Sequence, residues 1–512
     1  MALDRTGIPP EVDLPDGEPE LSRGLKNRHL QLIAIGGAIG TGLFLGAGRT
    51  IHLAGPSIVL VYVIIGFFLF FVMRAMGELL LSNLAYKSFA DFATDLIGPW
   101  AGFYIGWTYW MCWVVIGIAD TTAICGYLAL WFPDLPKWIP ALCVVLLLTG
   151  LNMVAVRVFG ELEFWFAMIK IVTIIALILV GAYLAFTAFQ PPMAGAPAAS
   201  FAHMWDRGGF FPTGFAGFMA GFQIAIFSFQ GIEMAGTAAA ETADPEHNLP
   251  KAINSIPARV LIFYVLALIV IMSVQPWDLI DPNNSPFVEM FSFIGVLIAF
   301  HVINFVVLTS AASSANSGVF STSRIMYGLA REKNAPKRFA KLSGRHIPRN
   351  ALFLTALCIS PSIILVMLSD SVMDAFSLVA GISSVLYLSV WGLIVACYIA
   401  YLRKHPERHA ESIFPMPLAR IMPRATLVFF VAILVVLGFA EDSRIALFFA
   451  PVWILFMALM YRFLRSTRAE AEPIDFDAER DRARELVEQH VTETGGKGAS
   501  ERLKKTGRRT LD

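Results

Sequence analysis

Three charged residues stand in segments that are otherwise almost wholly apolar: Asp120 in VVIGIADTTAICGY, Lys170 in EFWFAMIKIVTIIAL and Glu233 in FSFQGIEMAG. Holding such a group at the centre of a bilayer costs about 2.5–3.5 kcal/mol on insertion scales, so each is a functional candidate by default. Lys170 lies about two turns beyond Glu161 and Glu163, too deep for its side chain to reach water in full. An amine whose charge alternates with conformation is what coupling to a proton requires. Asp120 either meets a cationic group of a ligand or pairs inside a helix bundle, and the sequence leaves both open. Glu233 is placed to brace its own segment against neighbouring helices and is, with Lys170, a candidate for proton coupling. In the serine-rich stretch NFVVLTSAASSANSGVFSTSR most small residues serve close helix packing. Ser313 and Ser314 are the two expected to face Lys170 or an ion.

Two segments supply the other half of the chemistry. IGGAIGTGLFLGAG (35–48) and AGFQIAIFSFQGIEMAGTAAAE (220–241) crowd glycines and polar side chains into membrane-grade runs. Unwound backbone survives in hydrocarbon only where it lines a cavity or binds something. A half-helix start offers free N–H groups and a partial positive charge, which suits a carboxylate. Free carbonyls at a half-helix end suit an ammonium. Two facing breaks therefore hold both ends of a zwitterion with little side-chain chemistry. Gly40, Thr41 and Gly42 form the expected carboxylate cradle, with Thr41 adding its hydroxyl; Phe227, Ser228 and Phe229 offer carbonyls to the amino group. A site built this way leaves little room, which favours glycine, alanine and serine, and it need not fix chirality.

The elements that position these residues follow from composition. The 512-residue chain is 57% hydrophobic and only 15% charged, against roughly 25% charged in soluble domains. Lipid must be part of its solvent. A net charge of zero argues against nucleic acid as a partner. Twelve apolar spans are expected: 29–53, 56–80, 98–131, 138–156, 162–188, 213–240, 254–276, 287–323, 350–369, 373–401, 422–440 and 444–464. The loop after the eighth carries Arg324, Arg331, Lys333, Lys337, Arg338, Lys341, Arg345 and Arg349, whereas the opposite side offers Arg49, Lys137, Arg207 and Arg444. The positive-inside rule then puts both termini in the cytoplasm. The interrupted spans are the first and the sixth, which reads as an inverted five-plus-five repeat, 29–188 and 213–401, within a ten-helix core at 29–401. Two further helices occupy 422–464. The tails 1–28 and 466–512 are polar and read as disordered cytoplasmic segments.

Other residues read as structural. Arg74 and Glu78 have the spacing of a helical ion pair, His301 reads as a packed histidine, and the five cysteines as small core residues with no disulfide or metal spacing. No HExxH, GxSxG or paired membrane aspartates appear, so neither an intramembrane enzyme nor a metal centre is expected.

The runs IGGAIGTGLFLGAG, YKSFADFATDLIGPWAGFYIGWTYW, FSFQGIEMAGTAAAET, ETADPEHNLPKAINSIPARVLIFY and SSANSGVFSTSRIMYGLA together resemble the signatures of the amino acid permease family of the amino acid–polyamine–organocation superfamily, over roughly residues 24 to 465. The resemblance implies an all-α, LeuT-like membrane fold with helices 1 and 6 broken. It also implies proton-driven uptake of small amino acids across a bacterial plasma membrane, with no cofactor beyond the proton gradient. By the same resemblance Lys170 stands where a lysine serves in place of a sodium ion, and Asp120 where aromatic permeases carry glutamate. An exchanger or a sodium-coupled carrier of the same fold is the alternative.

Overall fold

The computed structural model describes residues 39–464 apart from 84, 85, 87, 154, 155, 194, 235–244, 345 and 440, together with 476 and 478. The expected tail at 1–28, residues 29–38 of the expected first span, 235–240 of the sixth and nearly all of 466–512 lie outside the described residues. Everything described is helix, turn or connection, with no strand. Nine helical segments among the described residues are long and apolar enough to cross a membrane. Two shorter apolar stretches, Trp138–Leu151 and Gly214–Phe229, accompany them.

The centre of the molecule is the Pro99–Ala129 helix. It packs most extensively against Leu297–Arg331 and Val372–Lys404. Small residues set the approaches of this helix: Gly318 of Leu297–Arg331 lies under the Trp113 ring, and on the side facing Arg349–Ile359 a Cβ at Gly117 would come within 2.7 Å of Ile359. Close packing of this kind replaces the hydrophobic effect between helices that both face lipid. A short amphipathic helix, Phe89–Leu96, precedes the central one. Ser88 opens it with a capping box, accepting from the Ala90 N–H while its own N–H donates to Asp91 at 2.9 Å. Its buried face of Phe89, Phe92, Ala93 and Leu96 then lies against the central helix.

Several sequence expectations are adjusted. The run 287–323 is not one helix. Pro286–Phe293 ends at Gly295, whose φ of +77 suits glycine, and the crossing helix starts at Leu297. The run 350–369 is interrupted at Ser360, because Pro361 has no N–H to continue the ladder. Arg74 and Glu78 do not pair with each other. Glu78 is fully buried and accepts from Tyr398 Oη at 2.6 Å, His409 Nδ1 at 2.6 Å and the Met416 N–H at 2.8 Å. Arg74 donates to Asn254 Oδ1 at 3.3 Å and to the Pro415 carbonyl, and stacks over Phe414. Each buried charge thus gains several partners from distant segments, which one exposed-type i,i+4 pair could not supply. His301 is exposed rather than packed and accepts from Trp131 Nε1 at 3.0 Å. Cys143 is exposed and Cys358 half-buried, so only Cys112, Cys125 and Cys397 sit in the core; all five thiols are free. From the C-terminal segment, Phe476 is buried edge-on to Tyr86, and its carbonyl accepts from Asn83 Nδ2 at 3.0 Å.

The Pro286–Phe293 helix lies outside the crossing segments and carries Glu289. Burial, with Asp281 close by, pushes this carboxyl up to about 7, although the Asp281 N–H donates to it at 3.1 Å. Ionising it therefore costs the folded state, nothing below about pH 4.5 and increasingly as pH rises to about 7. Glu289→Gln is expected to match the parent's thermal midpoint at about pH 4 and to gain on it by about pH 8. A difference between the two that does not change with pH would refute this.

Candidate functional site

In both segments a helix starts or stops where glycines and polar residues crowd the sequence. Gly40 is extended, with φ −129 and ψ −163, and the helix starts at Thr41 with no side-chain cap. It runs as Thr41–Phe44 and, through Leu45, as Gly46–Ala54. The second segment, Gly214–Ala220 and Phe222–Ala225, tightens into a 3-10 turn over Ile226–Phe229. It comes apart at Gln230, where ψ is 142, and at Gly231, whose φ of +89 is a glycine conformation. A helix beginning thus meets a helix end. The approach is backbone to backbone: a Cβ at Gly42 would lie 2.6 Å from Ser228 Cα and 2.7 Å from Ser228 N. No side chain fits there.

A shell of hydroxyls and rings fixes the second break. Tyr62 Oη lies 3.0 Å from Ser228 Oγ, and Tyr264 Oη donates to the Ser228 carbonyl at 2.9 Å. Tyr264 belongs to the π-helical turn Val260–Leu266, and its ring stacks on Phe229 at 5.0 Å. Phe227 packs edge-on against Phe376, and Ser383 Oγ donates to Gln230 Oε1 at 2.6 Å. The carbonyls expected to be open are partly used. Phe227 O accepts from the Gln230 N–H and Phe229 O from the Ile232 N–H, at 3.2 and 3.3 Å. Each carbonyl retains its second lone pair.

Between the breaks lies a small polar cavity. Its walls are Gly40, Thr41, Gly42, Trp113, Ile116, Asp120, Phe227, Ser228, Gln230 and Ser314. Asp120 is fully buried there. Thr41 Oγ1 donates to Asp120 Oδ1 at 2.6 Å, while Oδ2 has no hydrogen-bond partner among the described residues. The Thr41 hydroxyl has one proton, so while bound to Asp120 it cannot also donate into the cradle. Phe229 stands behind the wall, against Tyr62 and Tyr264.

Lys170 is buried one layer away. Its Nζ donates to the Ile39 carbonyl at 3.4 Å, beside the first break, and it lies close enough to Asp120 and Glu163 for their charges to interact. Ser313 turns to Glu163, donating to Oε1 at 2.7 Å, whereas its neighbour Ser314 borders Asp120. Glu233 joins neither group. Its carboxylate accepts from Tyr109 Oη and Tyr387 Oη, at 3.1 and 3.2 Å, and so ties the chain after the break to two long helices.

Trp113, Ile116 and Glu163 were not singled out by the sequence reading. Ile116 and Trp113 lie four and seven residues before Asp120, on one face of its helix. The same spacing relates Glu163 to Lys170, but Glu163 reads as a helix end in the sequence and is only 1% exposed in the fold.

The amino acid permease family model matches residues 29–472. The chain belongs to the amino acid permease family. The D-serine/D-alanine/glycine transporter of Escherichia coli K12 is 56% identical to it over 89% of this chain and 97% of its own length. The amino-acid permease AapA of Bacillus subtilis is 47% identical over 87% and 95%. The aromatic amino acid transport protein AroP of Escherichia coli is 38% identical over 88% and 97%. The permease is accordingly a multi-pass membrane protein and a transporter rather than an enzyme.

Gly42 gives the direct test of the geometry. Gly42→Ala puts a methyl into the Ser228 backbone, an overpacking that costs about 1–3 kcal/mol. Amino-acid binding to the purified variant is expected to weaken at least about tenfold. Unchanged affinity in a folded variant would place the site elsewhere.

Proposed function

We propose that the permease imports small neutral amino acids (glycine, D-alanine and D-serine, with L-alanine as a further substrate) by proton symport with alternating access. The observation that carries this reading is the buried Asp120 carboxylate, one oxygen unpaired, on a small cavity where an uncapped helix start meets an unwound helix end. The substrate carboxylate faces the backbone N–H groups at Gly40 to Gly42. The ammonium faces Asp120 and the remaining lone pairs of the Phe227 to Phe229 carbonyls. Trp113, Ile116 and Phe227 close the space around the side chain, which supports a small one. The name of the Escherichia coli relative supports the same substrate class.

Twelve spans fit the helices. Gly55, with φ +60, and the 3-10 turn Gly55–Ser57 divide the run Gly46–Ser82 into two crossings, and the two shorter apolar stretches complete the set. The LeuT-like inverted repeat, with both termini in the cytoplasm of a bacterial plasma membrane, rests on the two broken segments and on the placing of Lys and Arg. Proton rather than sodium coupling is supported by Lys170, whose ammonium lies on the Ile39 carbonyl beside the break, where a cation would otherwise sit. No cofactor beyond the gradient is needed. Glu233 acts in this scheme by holding the chain after the break.

The test is uptake by proteoliposomes of glycine and both isomers of alanine and serine, with and without an inward pH gradient, in sodium and in choline medium. Accumulation driven by the pH gradient and indifferent to sodium is expected. Strict sodium dependence, or exchange without net accumulation, would refute proton symport. Lys170→Ala is expected to abolish accumulation while weakening equilibrium binding less. Concentrative uptake by that variant would remove Lys170 from the coupling step.

A further inference from the structure

Among the described residues, the buried charged groups around the first helix start do not balance in charge. Asp120, Lys170 and Glu163 form one connected set: Lys170 feels the charge of both carboxylates, and all three are at most 1% exposed. Two acids and one base leave one negative charge in a low-dielectric interior, where an uncompensated charge is expensive. A zwitterionic amino acid adds no net charge. The set becomes neutral by taking up one proton.

The two carboxylates are not equivalent as holders of that proton. Asp120 lines the cavity and has the Thr41 hydroxyl on one oxygen, so it is positioned to stay ionised against a substrate ammonium. Glu163 is off the cavity. Ser313 Oγ donates to its Oε1, and Oε2 has no hydrogen-bond partner among the described residues. Among the described residues, Lys170 is the charged group that acts on Glu163. Leu297–Arg331 contributes the Ser313 and Ser317 hydroxyls, Ala267–Val274 has no ionisable residue, and the nearby Tyr264 hydroxyl is used on Ser228. Lys170 stands two turns along the same helix, between Glu163 and the break.

Building on the proton-coupled reading, we infer that Glu163 is the residue that carries the transported proton. An O–H bond forms at Oε2 as the substrate is enclosed and breaks when the proton leaves with it. Lys170 remains the ammonium that links this carboxyl to the Ile39 carbonyl and so to the state of the break. One proton moves per amino acid. Glu163 touches no substrate; it acts through Lys170.

The experiment uses the full-length protein in proteoliposomes. Glu163→Gln keeps an oxygen for Ser313 but cannot take up and release a proton. Glycine counterflow, which needs no net proton movement, is expected to stay within about threefold of the parent. Accumulation driven by the pH gradient is expected to fall to equilibration, and glycine-induced proton uptake to vanish. Parent and variant both accumulating glycine would overturn the role of Glu163 and leave proton symport standing. A parent that fails to accumulate would overturn both. Should Glu163→Gln lose counterflow as well, Ser313→Ala decides. Loss of the donor to Oε1 is expected to displace the pH profile of accumulation by at least about half a unit, and an unchanged profile would overturn the proposal.

Discussion

A peptide group stripped of its partner costs several kcal/mol in hydrocarbon, and the helix start at Thr41 and the helix end at Gln230 each leave several without a helical partner. Most of the surrounding structure compensates for them. The Gln230 and Ile232 N–H groups turn back onto the Phe227 and Phe229 carbonyls, Tyr264 covers the Ser228 carbonyl, and Lys170 covers that of Ile39. At the start of the first helix no side chain does the same. In the proposed reading, that asymmetry makes one side of the cavity the place for the substrate carboxylate, and the second side, with its lone pairs and the Asp120 carboxylate, the place for its ammonium.

The compensation is distributed over distant elements. Ser228 is held by tyrosines from two helices, Glu233 by tyrosines from two others, and Gln230 by Ser383. Each hydroxyl joins an unwound segment to a continuous helix. The rigid members, chiefly Pro99–Ala129 and Val372–Lys404, therefore define where the irregular backbone sits.

Much of this was legible in the sequence because the relevant signals are local. Glycines in an apolar run and a lone lysine or aspartate within a span each announce themselves by type and neighbours. Gly40, Asp120 and Lys170 were singled out in this way, and the fold brings them near one another. What was missed depends on three-dimensional partners. Glu163 looks like an interfacial residue until the fold closes over it. Arg74 and Glu78 look like a surface pair until residues from 398 to 416 arrive at their sides. The Thr41 hydroxyl looks available until Asp120, 79 residues on, accepts it. Trp113 and Ile116 are ordinary members of an apolar helix, and only their shared face with Asp120 marks them.

The cluster around Glu78 also bears on biosynthesis. Translation is vectorial, and early elements exist long before late ones. Glu78 is made more than 300 residues before the last of its donors, Tyr398, His409 and Met416. Until the ribosome has passed that point the carboxylate has no interior in which it can be satisfied, and water is its cheapest partner. The Ser82 end of the Ile58–Ser82 helix must therefore remain hydrated through most of membrane insertion. Its final seating marks the near-completion of the nascent chain.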